Sequence, residues 1–130
     1  MTATVGKKRI LLLDDSALQL QMVREALEQR GYEVATAPDI VEFERLLQEF
    51  KPEIVLTDLV MPDVSGHVVV QTLKESMSKH KIPVILFSSQ PEAELAIIAE
   101  AVGADGHVSK EGGVDLLGDR IDRLVEEIFW

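Results

Sequence analysis

Short apolar runs alternate along the chain with longer stretches in which apolar residues recur every three or four positions. Runs such as Ile10-Leu11-Leu12-Leu13 contain no polar alternation, which is typical of strands buried on both faces. The pattern predicts five such strands, over residues 9–14, 33–37, 54–58, 83–88 and 106–109.

The stretches between and after these strands have helical periodicity. Gly31 and Gly103 are expected to end two of the helices, and Pro91 to occupy a first helical position. The expected apolar faces are Leu18, Met22, Ala26 and Leu27; Ile40, Phe43, Leu47 and Phe50; Val69, Leu73 and Met77; Leu95, Ile98 and Val102; and Leu117, Ile121, Leu124 and Ile128. Strict alternation of strands and helices predicts a parallel sheet with helices on both sides.

Polar residues stand where the predicted strands end. In open parallel sheets the ligand site lies at the carboxyl ends of the strands. If this architecture holds, the side chains that meet at that edge are Asp14, Asp15, Asp58, Ser88 and Lys110.

These residue types suggest phosphoryl chemistry. Three converging carboxylates need a nearby cation or a shared proton, and an all-oxygen cluster suits Mg²⁺ better than Zn²⁺. An aspartate can attack phosphorus, while an ammonium and a hydroxyl stabilise the phosphoryl oxygens. Taken singly, each residue also has an ordinary explanation: Asp15 or Ser16 as a helix cap, Ser88 in a turn and Lys110 in solvent.

Composition narrows the range of functions. The 130 residues suit a single domain, with residues 1–7 as a flexible extension, and 46% hydrophobic residues are enough for a core. A formal net charge of −10 argues against direct nucleic-acid binding, and the absence of cysteine excludes disulfides and thiolate chemistry. No apolar run is long enough to insert into a membrane, so a cytoplasmic protein is expected.

The spaced motifs resemble the receiver domain of two-component response regulators. The matching pattern is Asp14-Asp15, Asp58 followed by Met61-Pro62 and Gly66, then Ser88 and Lys110, and it covers about residues 8 to 128. The resemblance implies a flavodoxin-like, three-layer (βα)5 fold whose central five-stranded parallel sheet has strand order 2-1-3-4-5.

The resemblance also implies roles for particular residues. Asp58 would accept a phosphoryl group from the phosphohistidine of a sensor histidine kinase or phosphotransfer protein. Asp15, Asp58 and the backbone carbonyl of Val60 would bind Mg²⁺ directly, and Asp14 often through water. Such a domain is a signalling phosphoacceptor that promotes its own phosphorylation and dephosphorylation, and it acts on a downstream protein, an output domain or a second copy of itself.

Glu111 and His107 are among the positions that depart from the family pattern. Glu111 stands where the family usually has proline, so we expect a trans peptide bond and a more mobile loop after Lys110. His107 stands at the family's switch aromatic position; either it turns inward together with Ser88, or it is an outward-facing surface histidine.

Three other functions are alternatives to this one. One is a phosphorylation-independent interaction module with the same fold. Another is a Mg²⁺-dependent phosphatase, which usually needs an acid/base aspartate where this chain has Val60. The third, a flavin-binding protein, is disfavoured because no phosphate-binding loop rich in Ser, Thr or Gly follows the first strand.

Overall fold

A computed structural model describes residues 8–58 and 82–129 of the chain. Within these residues the strands are β1 (Arg9–Leu13), β2 (Glu33–Ala37), β3 (Ile54–Thr57), β4 (Val84–Ser88) and β5 (Gly106–Ser109). The helices are α1 (Ala17–Glu28), α2 (Ile40–Glu49), α3 (Glu92–Val102) and α4 (Gly113–Phe129), and a short 3₁₀ turn, η1, covers Lys110–Gly112. Each strand agrees with its predicted range to within one residue.

The five strands form one parallel sheet in the order β2-β1-β3-β4-β5. This confirms the predicted flavodoxin-like fold and strand order. The register brings the ends of neighbouring strands level: Leu13 pairs with Ala37 and Thr57, and Ser88 pairs with Ser109. The residues that follow these positions therefore share one edge of the sheet.

Alternate strand residues supply two separate cores. Ile10 and Leu12 point into the core packed by α1 and α4, whereas Leu11 and Leu13 point into the core packed by α2 and α3. Side chains alternate between the faces of a strand, so a strand covered on both sides must be apolar throughout. For this reason the uninterrupted apolar runs predict strands that are covered by helices on both sides.

The predicted apolar face of α1 is right at Leu27 but wrong at Leu18 and Met22. Leu18 is 66% exposed and Met22 is 40% exposed, whereas Leu20, Val23 and Leu27 are buried against the sheet. The helix carries two apolar stripes, and both meet the three-to-four-residue spacing. The rotation of α1 on the sheet selects one of them, and spacing along the sequence does not contain that rotation.

The other described helices largely follow their predicted faces. Phe43 on α2, Leu95 on α3 and Leu117 and Ile121 on α4 are buried, with neighbouring apolar residues partly buried beside them. Pro91 is the N-cap of α3 rather than its first helical residue, a shift of one position. The predicted helix around Val69, Leu73 and Met77 lies outside the described residues.

The ends of α3 and η1 depend on glycine. Gly103 ends α3 in a left-handed conformation (φ 77°), as expected for this position. Gly113 has φ 80° and joins η1 to α4. The bond after Lys110 is trans, as predicted, and the segment that follows forms a 3₁₀ turn. None of the helices in the described ranges is long and apolar enough to cross a membrane.

Candidate functional site

Two aspartates at the carboxyl edge of the sheet form backbone hydrogen bonds to neighbouring strands. The Asp58 N–H donates to the Leu13 carbonyl (2.9 Å), and the Asp14 N–H donates to the Ala37 carbonyl (3.2 Å). Each aspartate therefore continues the hydrogen bonding of its strand by one residue. This fixes the depth at which each side chain leaves the sheet.

Three carboxylates converge at this edge. One oxygen each from Asp14, Asp15 and Asp58 lies within 4.8 Å of the others. Asp14 and Asp58 are buried, with 1% and 7% of their surfaces exposed, whereas Asp15 is exposed to solvent. The cluster thus has two oxygen ligands inside the protein and one at the surface.

Lys110 follows β5, and its side chain reaches the same group of carboxylates. Its ammonium Nζ lies 2.9 Å from Asp58 Oδ2 and 3.2 Å from Asp14 Oδ2, and its side chain is 17% exposed. The ammonium also sits 4.9 Å from the centre of the Phe87 ring, a cation–π distance. Lys110 therefore offsets part of the charge that burial of the two carboxylates would otherwise leave uncompensated.

Ser88 ends β4 and is fully buried. Its Oγ accepts a hydrogen bond from the Gln90 N–H (3.3 Å). The Ser109 hydroxyl donates to the Gln90 carbonyl (2.8 Å) and accepts from the Glu111 N–H (3.2 Å). The turn after β4 and the turn after β5 are therefore tied together through Gln90, a connection that no sequence pattern predicts.

The start of α1 distinguishes the two capping candidates. Ser16 is the N-cap, because its Oγ accepts from the Gln19 N–H (3.3 Å). The Ser16 N–H in turn donates to Asp14 Oδ1 (3.0 Å). Asp15 is left at the surface with its carboxylate available to the cluster.

His107 lies on β5, partly buried, and faces Glu92 at the beginning of α3. Its Nε2 is 3.0 Å from Glu92 Oε1, and the same oxygen accepts from Arg120 of α4 (3.1 Å). Arg120 also donates to the His107 carbonyl (3.4 Å). We call Glu92, His107 and Arg120 the clasp, because these three residues join α3, β5 and α4.

The acidic cluster has the chemistry of a cation site. Its donors are all carboxylate oxygens, the ligands that Mg²⁺ prefers, and one of the three stands at the surface where water can complete the coordination shell. The Lys110 ammonium is positioned to neutralise the remaining charge. The site residues present therefore fit a hard divalent cation; Val60, the further predicted ligand, lies outside the described residues.

Comparison with known proteins identifies the family. The family model for the response regulator receiver domain matches residues 10–122, which is most of the chain. This chain is a response regulator receiver domain. The fold and the strand order agree with that membership.

Longer proteins contain a similar segment. The receiver domain is 32% identical over 103 residues to the phosphate regulon transcriptional regulatory protein PhoB of Pseudomonas aeruginosa, matching 79% of this chain and 45% of the relative. It is 34% identical over 121 residues to a protein-glutamate methylesterase/protein-glutamine glutaminase of Rhodospirillum rubrum, matching 90% of this chain and 32% of the relative. The chain thus spans half or less of the length of these relatives.

Solved structures match nearly the whole receiver domain. Chemotaxis protein CheY4 of Vibrio cholerae superimposes with a TM-score of 0.78 at 27% identity, covering 92% of this chain and 99% of that one. The Thermotoga maritima regulator DrrB gives a TM-score of 0.76 at 28% identity, covering 93% of this chain and 54% of that one.

Proposed function

We propose that Asp58 is the phosphoacceptor of this receiver domain and takes its phosphoryl group from the phosphohistidine of a sensor kinase or phosphotransfer protein. The observation that carries the proposal is the convergence of Asp58 with Asp14, Asp15 and Lys110 at one edge of the sheet. Of the three carboxylates, Asp58 follows the central strand, with the other two carboxylates on one side and the β4 and β5 ends on the other.

The transfer replaces one bond to phosphorus by another. An Asp58 oxygen attacks the phosphorus, the P–N bond to the donor imidazole breaks, and its electron pair returns to the imidazole nitrogen. Charge spreads over the three equatorial phosphoryl oxygens in the transition state. Residues around Asp58 contribute by placing positive charge and hydrogen-bond donors where those oxygens lie.

Mg²⁺ held by Asp14, Asp15 and Asp58, with the Val60 carbonyl, would neutralise charge on the transferring group. Lys110 would move its ammonium from the Asp58 carboxylate to a phosphoryl oxygen, a short movement because it already lies 2.9 Å from Asp58 Oδ2. The Ser88 hydroxyl accepts from the Gln90 N–H and keeps its own hydrogen to donate to a second phosphoryl oxygen.

The same contacts suggest how phosphorylation reaches the surface. If Ser88 moves towards the phosphoryl group, Gln90 must follow, and Gln90 is bonded to Ser109 and precedes α3 by two residues. Glu92, the first residue of α3, would then shift relative to His107. We therefore assign His107 a switching role through the clasp rather than through an apolar aromatic ring.

One observation favours a second candidate, a phosphorylation-independent interaction module. Among the described residues, no buried side-chain polar atom lacks a hydrogen-bond partner. Lys110 bonds to both Asp14 and Asp58, and such a hydrogen-bonded network can also be purely structural. The receiver domain would then present a fixed surface to its partner.

Intact-protein mass separates the two candidates. The protein is incubated with a small acyl-phosphate donor, with and without Mg²⁺, beside an Asp58→Asn variant. A Mg²⁺-dependent gain of one phosphoryl group in the wild type but not in Asp58→Asn supports the proposal. If neither the small donor nor a phosphorylated histidine-kinase domain adds mass, the interaction module is the correct function.

The output of the whole protein is also a proposal. Because the relatives are longer than this chain, we propose that the switched surface acts on an attached output domain or a separate protein. The output domain or partner protein would contact the surface nearest the clasp, which is formed by α3, β5 and α4.

A further inference from the structure

The hydroxyl of Ser109, the last residue of β5, lies beside the site and has two hydrogen-bond partners. Ser109 is buried, with 8% of its surface exposed, and it pairs with Ser88 where β4 and β5 end. Its Oγ accepts from the Glu111 N–H (3.2 Å) and donates to the Gln90 carbonyl (2.8 Å). A hydroxyl has one hydrogen, and here it goes to Gln90. The direction of the hydroxyl is therefore fixed.

The first of these bonds shapes the turn that contains Lys110. Ser109 is the N-cap of η1, and its bond to the Glu111 N–H spans the backbone of Lys110, which lies between the two. Gly112 and Gly113 follow, and glycine places few limits on the direction of the backbone. A proline at position 111 would have no N–H to donate, so the bond depends on the residue found there. The Ser109 hydroxyl thus restrains the direction in which Lys110 leaves β5.

The second bond joins this turn to the turn after Ser88. The Gln90 N–H donates to Ser88 Oγ (3.3 Å), and the Gln90 carbonyl accepts from Ser109 (2.8 Å). Serine hydroxyls from two neighbouring strands therefore hold both polar groups of the Gln90 backbone. A helix cap needs only a local bond. The bond from Ser109 to Gln90 crosses 19 positions of sequence, so it connects two turns and is not part of the cap.

We propose that Ser109 is a positioning residue for phosphoryl transfer to Asp58. Its hydroxyl holds the Lys110 turn against the Ser88 turn, so that the ammonium and the Ser88 hydroxyl reach two phosphoryl oxygens together. Lys110 Nζ lies 2.9 Å from Asp58 Oδ2, and a small displacement of such a group lowers the rate of the step that it assists. Both bonds of Ser109 go to backbone groups, so it acts through its neighbours. The inference rests on the proposed function, since it concerns the rate of that transfer.

Substitution of Ser109 is expected to leave the fold intact. Glu111 is exposed and Gln90 is partly exposed, so water can bond to the backbone groups that a substitution releases. Water molecules do not hold two turns at a fixed separation. The protein should therefore remain folded while the transfer becomes slower.

Ser109→Thr and Ser109→Val form the matched pair of variants. Both side chains are branched at the β-carbon and only threonine has the hydroxyl, so any strain from the added methyl group is common to both. Thr36→Val removes a hydroxyl from β2, at the opposite edge of the sheet from β5. Tyr32→Phe removes the hydrogen bond to Asp122 and is the control for destabilisation alone.

The rate of transfer is measured with a small acyl-phosphate donor over a range of Mg²⁺ concentrations, by intact-protein mass. We expect the rate at saturating Mg²⁺ to be about tenfold lower in Ser109→Val than in Ser109→Thr, with less than about a twofold change in the Mg²⁺ concentration for half-maximal rate. Ser109→Thr and the two controls should stay within about twofold of the wild-type rate. General damage to the acidic cluster would instead raise the Mg²⁺ requirement as the rate falls.

Amide hydrogen exchange followed by NMR needs no phosphoryl donor. The Glu111 amide should exchange about tenfold faster in Ser109→Val than in Ser109→Thr, because its acceptor is lost. The Gln90 amide should also exchange faster, because its peptide group loses the bond on its carbonyl side.

A slow Ser109→Val, a normal Ser109→Thr and fast exchange of the Glu111 amide would support the inference. Equal rates in the two Ser109 variants would overturn it and leave the proposed function intact. So would an equal fall in rate in Tyr32→Phe, a raised Mg²⁺ requirement, or unchanged exchange of the Glu111 amide. A wild-type protein that gains no phosphoryl group from the small donor or from a phosphorylated histidine-kinase domain would overturn the proposed function, and this inference with it.

Discussion

Replacing Lys110 by methionine tests how the acidic cluster is balanced. The substitution keeps a long apolar stem beside Phe87 but removes the ammonium that lies 2.9 Å from Asp58 and 3.2 Å from Asp14. Two largely buried carboxylates then lose this ammonium while they remain within 4.8 Å of each other and of Asp15. We expect a large loss of stability in the absence of Mg²⁺ and a recovery in its presence.

The size of the loss follows from the geometry. At an effective dielectric constant of about 20, two unit charges 4.8 Å apart repel by about 3.5 kcal/mol. Breaking a buried ion pair by removing one partner typically costs about 3–5 kcal/mol. Because Lys110 is 17% exposed, we take the lower end, about 3 kcal/mol. For a chain of this size that corresponds to a fall in Tm of about 10 °C.

Urea and thermal unfolding with EDTA and with saturating Mg²⁺ measure both effects. Lys51→Met is the matched control, since Lys51 is exposed and in no ion pair with another described residue. Loss of the competing ammonium should also tighten Mg²⁺ binding by about tenfold, which adds about 1.4 kcal/mol of stabilisation at a fixed, near-saturating concentration. Equal stability of the two variants in EDTA, or equal Mg²⁺ stabilisation, would refute the reasoning.

Three further changes give expectations of their own. The Tyr32 hydroxyl donates a hydrogen bond to Asp122 (2.5 Å). Burial of the hydroxyl, and to a smaller extent this hydrogen bond, raise the pKa of Tyr32 above its ordinary 10.0. The stability that this bond contributes is complete below pH 10 and is lost as pH rises further. Tyr32→Phe should lower the free energy of unfolding by about 1–2 kcal/mol in urea at neutral pH, and it should reduce the loss of stability at alkaline pH. Equal losses of stability at alkaline pH in the two proteins would contradict this expectation. Gly103→Ala should cost about 1 kcal/mol through its left-handed φ alone, because no atom lies within 4 Å of the added carbon; no change in the urea midpoint would count against this. His107→Ala should shrink the amide NMR shift changes of Glu92 and Arg120 on phosphorylation, and unchanged shifts would remove His107 from the switch.

Local pattern was enough to predict the strands and the edge where the site lies. Uninterrupted apolar runs identified β1, β3 and β4 to within one residue, because burial on both faces leaves no room for polar alternation. The residues ending those runs had to share one edge once the sheet was parallel. Asp14, Asp58 and Lys110 were therefore expected together from the sequence alone, although 96 positions separate Asp14 from Lys110.

Tertiary packing decided what local pattern left open. The two apolar stripes of α1 fit helical spacing equally well, and only docking on the sheet buried Leu20 and Val23 while exposing Leu18. The clasp joins residues of α3, β5 and α4 whose charges have no periodicity to reveal them. Periodicity records which face of one element is apolar. It does not record how far that element is rotated, or which polar side chains of its neighbours it will meet, because both are set when the elements pack together.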